Sequence, residues 1–198
     1  MRAPRPAGRS ARWIITLVLV WLGAFGSVLA QVQLPSPDDR SVHDFAGVLT
    51  AEAVSMMERL HADLYQRAGV AIVVVTMPSL EGEPIRAFGV RLATEWGIGD
   101  AETDRGIVVV LALEERDIAI ETGYGVEGYL PDGRVGALLD ASLPMMSAGD
   151  FSGGLLRRSA GLVEASAAEF GVVVDGAAQL LPVGRRVQDR PPGPLQGI

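Results

Sequence analysis

The chain has 198 residues, of which 48% are apolar, enough to bury one full core and to suggest a single main domain. It contains no cysteine, which excludes disulfides, thiolate metal sites and a cysteine nucleophile, and its two histidines leave little for zinc or a histidine relay. The formal net charge of −7, with every basic residue an arginine, argues against nucleic acid or anionic lipid as a partner and suits cations.

Four arginines, Arg2, Arg5, Arg9 and Arg12, precede the apolar run Trp13 to Leu29, and small residues at Val28-Leu29-Ala30 offer a cleavage point before Gln31. Residues 1–30 therefore read as a secretory signal peptide, or as an N-terminal anchor if uncleaved. Export to the periplasm or beyond is the expected localisation. Losing this segment would take the formal charge from −7 to −11.

Residues 31–40 carry two prolines and are expected to form an extended leader. After the short segment Val42 to Leu49, Thr50 can cap a helix whose apolar stripe is Val54, Met57, Leu60 or His61, Leu64 and Ala68, ended by Gly69. The run VAIVVVTM at 70–77 is rich in β-branched residues and predicts a buried strand. Pro84 then opens a second helix, with Ile85, Phe88, Leu92 and Trp96 on one side and Gly97 at its end.

Ile107 to Leu113 is apolar at every position and predicts a central strand parallel to 70–77, whereas Asp117 to Glu121 alternates and predicts a strand nearer an edge. A charged turn, Glu114-Glu115-Arg116, joins the two as a hairpin. The glycine-punctuated stretch after it leads to Pro131-Asp132, where Asp132 is expected to cap a helix that Pro144 breaks or ends. Asp150 can cap a last helix with Phe151, Leu155, Leu162, Val163 and Phe170 on its buried side. The folded unit is thus expected over 41–170, as an α/β sandwich with a mixed central sheet flanked by helices, followed by a disordered proline-containing tail over 171–198.

Acidic residues gather at both ends of the hairpin: Asp100, Glu102 and Asp104 before it, Glu127 and Asp132 after it. Asp100 to Asp104 alternates like the opening of an EF-hand loop, but Arg105 and Leu111 stand where that loop needs glycine and a bidentate glutamate. A different calcium site remains open, with Asp44, Asp104, Glu127 and Asp132 as ligand candidates; the competing reading makes these acids helix caps and solvated surface. Gly123-Tyr124-Gly125-Val126-Glu127-Gly128 fits G-x-G-x-x-G by letter, but it follows a hairpin arm, carries an acid and has no helix expected before Asp132, so no nucleotide is expected there. Tyr124 and Tyr129 flank this loop and fit either packing or a partner surface, and His43 and His61 read as packing residues.

The order VHDFAGVL at 42–49, Trp96-Gly97-Ile98-Gly99, Asp104-Arg105-Gly106-Ile107, ETGYGVEG at 121–128, Leu130-Pro131-Asp132 and Gly149-Asp150-Phe151 resembles the TPM domain family. The resemblance implies a Rossmann-like sandwich, export, often membrane tethering, a calcium site in some members, and acid phosphatase activity proposed for others. The chain departs from the pattern in having Arg105 where the family often has Asn, and in lacking the usual membrane helix after the domain, so a tether would be residues 13–30. No phosphatase nucleophile motif is present, and Arg105 and Arg134 are the nearest bases for a phosphate. The expectation is a calcium-binding accessory module in the cell envelope with an envelope protein as partner; the alternatives are a metal-assisted acid phosphatase and a metal-free scaffold.

Overall fold

The computed structural model describes residues 32–34, 36 and 38–181. The expected signal segment 1–30, and the tail from 182 onward, lie outside the described residues.

Four strands form one mixed sheet in the order β1 (Val42–Asp44), β2 (Ala71–Met77), β3 (Gly106–Ala112), β4 (Asp117–Thr122). The first three run parallel and β4 returns antiparallel to β3, as a hairpin must. β3 is buried at all seven positions because helices cover both faces. Alternate residues then divide between two cores. Val109, Ile107 and Val74 point toward α1 (Ala51–Ala68) and α5 (Phe151–Glu169), whereas Val108, Val110 and Val75 meet Phe88 and Leu92 of α2 (Ile85–Trp96). The segment read only as the start of the fold is thus an edge strand, too short at three residues to show a period.

Helix ends follow their side chains. The Thr50 hydroxyl accepts the Ala53 N–H, the Asp150 carboxylate accepts the Gly153 N–H, and Gly69 ends α1 in the left-handed region at φ 65°. The expectation for Asp132 is corrected: Pro131 is the N-cap of α4 (Asp132–Ser147), and Asp132 is its first helical residue with no capping bond. Its charge still lies in the favourable first turn. Pro144 does not break α4 but sits in its last turn. A further short helix, α3 (Tyr124–Glu127), occupies the glycine-rich stretch where none was expected before Asp132.

α4 lies against α5 through glycines: a Cβ on Gly161 would collide with Leu138, and one on Gly154 with Met146. Past Phe170 the chain stays packed, with Val174 and Ala177 buried in the larger core and a 3-10 turn at Ala178–Leu180. Tertiary contact orders 171–181, a stretch whose composition alone reads as tail.

Candidate functional site

The loop before β3 and the loop after β4 meet at one end of the sheet, since Ile107 is opposite Thr122. Asp100 organises the first loop by accepting the Glu102 and Thr103 N–H groups on its Oδ1. Asp104 follows with φ 48°, a left-handed conformation that aspartate tolerates better than most residues. Its carboxylate accepts the Tyr124 N–H at 2.7 Å and its carbonyl accepts the Gly125 N–H at 3.1 Å. Asp104 thereby caps α3 from across the hairpin. The glycines permit the approach, because a Cβ on Gly125 would overlap the Thr103 carbonyl oxygen and one on Gly123 would overlap Asp104.

Beside this junction is a cleft of about 290 Å³, lined by Val90, Ala93 and Thr94 of α2, by Ile98 and Asp104, and by Val108, Glu121 and Gly123. Glu121 is not one of the four ligand candidates above. It stands opposite Val108 on the face toward α2, where the absent side chain of Gly89 leaves it room. Its side chain is 18% exposed, and Oε1 is buried without a hydrogen-bond partner. The nearest cation is the exposed Arg86, 3.7 Å from Oε1. Burial raises the Glu121 pKa, the Arg86 charge lowers it, and the negative charge of Asp132 raises it again. The cleft therefore holds a carboxylate that its surroundings neutralise poorly. Its place at the end of the alternation D-I-A-I-E, on the face shared with Asp117 and Ala119, is the signal that could have found it.

The four sequence candidates do not converge. Asp44 is opposite Thr76 while Gly106 is opposite Ala71, so at about 3.3 Å per residue Asp44 and the Asp104 loop lie at opposite ends of β2, roughly 16 Å apart. Asp44 is also engaged: the Thr76 hydroxyl and the Val48 and Leu49 N–H groups all donate to its carboxylate. Asp104 lines the cleft and Asp132 acts on Glu121 by charge, whereas Glu127 is exposed and does not line the cleft. Among the described residues no group of three or more His, Asp or Glu is placed to hold a metal ion.

Both arginines considered for phosphate have other work. The Arg105 guanidinium lies 4.3 Å from the centre of the Phe170 ring and donates to the Ala68 carbonyl, and Arg134 donates to the Tyr129 carbonyl. The two tyrosines separate: Tyr129 is buried and its hydroxyl donates to Ser166, while Tyr124 is 83% exposed beside the cleft. His43 is buried against Trp96 and Phe45, and His61 is buried beside Ser41.

Among known families, the model described as TPM domain matches residues 42–165. The solution structure of the N-terminal domain of a P. gingivalis protein is 31% identical with a TM-score of 0.63, over 67% of this chain and 85% of that one. Two further solution structures share the fold. The N-terminal domain of the cg2496 protein from Corynebacterium glutamicum is 20% identical with a TM-score of 0.52, over 69% of this chain and 84% of that one. The BA42 protein from the psychrophilic bacterium Bizionia argentinensis is 17% identical with a TM-score of 0.53, over 61% of this chain and 82% of that one. No curated protein matches the sequence.

Proposed function

The chain belongs to the TPM domain family, and from that premise we propose that it is an exported accessory module of the cell envelope that takes a divalent cation, calcium, at the cleft between Asp104 and Glu121. One observation supports the reading: Asp104 and Glu121 line the same cleft, one oxygen of the Glu121 carboxylate is buried without a hydrogen-bond partner, and Asp132 adds negative charge. A hard cation would neutralise both carboxylates at once. Calcium takes six to eight oxygens, so two carboxylates leave most of its shell to loop carbonyls and water. Such a site belongs to the weak class, with Kd on the order of 10⁻⁴ to 10⁻³ M, suited to an extracellular calcium level. The exposed Tyr124, next in sequence to the cleft-lining Gly123, gives a partner protein an aromatic to grip.

Thermal unfolding of the full chain, first with chelator and then with calcium, tests this reading. A ligand bound only by the folded state contributes about 1.4 kcal/mol at a tenfold excess over Kd. The midpoint is expected to rise in the wild type and to stay put in Glu121→Gln. No rise in the wild type sinks the proposal. Calcium-dependent turnover of a phosphate monoester by the same preparation, lost in Glu121→Gln, would replace the accessory module with a metal-assisted hydrolase.

A further inference from the structure

A second feature lies away from the cleft, between α4 and α5. Arg158 is only 1% exposed, yet none of the ion pairs among the described residues includes it. Its Nη2 donates to the Leu139 carbonyl at 3.1 Å and to the Ser142 hydroxyl of α4. Nε and Nη1 are buried without an acceptor, as are Nε of the adjacent Arg157 and the hydroxyl of Ser159, itself 1% exposed. Arg158 thus carries a full positive charge that no carboxylate among the described residues meets, and the hydroxyl of the next residue, Ser159, is buried without a partner as well. Burial alone pulls the Arg158 pKa down to about 10, which leaves the guanidinium charged at neutral pH.

An uncompensated charge in a core is costly, and removing such a charge or pairing it are the usual outcomes. Water could meet the donors but not the charge. We propose that the α4–α5 interface binds a small inorganic anion of the chloride class, held by Arg158 and Ser159. A monatomic ion suits the packing: α4 covers this side with the flexible ends of Leu138, Met145 and Met146 set over glycines of α5, and methionine side chains adjust readily to small changes in volume. A larger oxyanion would have to separate the helices. The anion would also fasten α4 onto α5, since Val135 and Ser142 are the only two residues of α4 that are buried.

The test uses the full chain in sodium chloride and in sodium gluconate at equal ionic strength. Chloride is expected to raise the unfolding midpoint by several degrees over gluconate and to show excess broadening of the ³⁵Cl resonance with the folded protein. Both effects are expected to vanish in Arg158→Met. Equal midpoints in the two salts, with no excess broadening, would overturn the proposal, and so would a chloride response that survives in Arg158→Met. If that variant does not fold, Ser159→Val keeps the guanidinium and removes one donor. Chloride affinity is then expected to fall several-fold, and an unchanged affinity counts against the site.

Discussion

The Asp104 carboxylate accepts the Tyr124 N–H at 2.7 Å, twenty residues further along the chain, and this bond ties the loop before β3 to the helical turn after β4. The same residue lines the cleft to which Glu121 belongs. Asp104 therefore has a structural and a proposed ligand role, which substitution can separate. Asn keeps an acceptor oxygen and tolerates φ 48°, so Asp104→Asn is expected to cost less than about 1 kcal/mol. Asp104→Ala loses the acceptor and strains the backbone, and should cost about 1–2 kcal/mol more. Equal losses in urea unfolding would show that the bond and the backbone strain contribute little.

A Cβ at Gly125 would overlap the Thr103 carbonyl oxygen, a backbone atom that cannot swing aside. Gly125→Ala is expected to destabilise by about 1–3 kcal/mol, as overpacking does. Gly136, within α4, has open space where a methyl group would stand, so Gly136→Ala should stabilise by about 0.5–1 kcal/mol. A Gly125→Ala variant as stable as the wild type would mean that the two loops do not approach as closely as described, with Gly136→Ala as the control for a methyl group placed in open space.

The order of strands and helices was legible in the sequence wherever a long period existed. The continuous runs at 70–77 and 107–113 became the two central strands, and the stripe Met57, Leu60, Leu64, Ala68 became the buried side of α1. What the sequence left hidden depends on pairing register and on tertiary cover. Asp44 looked like a companion to Asp104 until register put it at the far end of β2. Glu121 looked like the polar end of an edge strand until α2, brought close at Gly89, buried it. Val174 and Ala177 are apolar residues in a glycine-containing stretch, and only their packing into the larger core buries them.

Stability should fall on mild acidification because of His61. Burial lowers its pKa from 6.5 to about 3, so the unfolded chain takes up a proton below pH 6.5 that the folded chain refuses. The contribution is complete above pH 6.5 and is lost as pH falls from there toward 3, with a slope of up to about 1.4 kcal/mol per pH unit. His43, whose pKa burial also lowers, acts in the same direction. Unfolding curves between pH 7 and 5 should be measurably flatter for His61→Gln than for the wild type; identical slopes would mean that His61 accepts a proton in place.

Glu121 has the opposite sign. Its folded pKa is raised by burial, so the ionised form is disfavoured by the fold and its unfavourable contribution is full above the folded pKa and absent below the ordinary value of 4.5. In chelator at neutral pH, Glu121→Gln is therefore expected to be more stable than the wild type, with the gain disappearing toward pH 4. A loss of stability at pH 7 would mean that Arg86 compensates the charge fully.

Calorimetric titration of calcium into the full chain measures directly whether the cleft between Asp104 and Glu121 takes a cation. The expected result is saturable binding to one site with Kd on the order of 10⁻⁴ to 10⁻³ M, weakened in Asp104→Asn, abolished in Glu121→Gln and retained in Asp44→Asn. No binding by the wild type, or binding that persists in Glu121→Gln and disappears in Asp44→Asn, would contradict it.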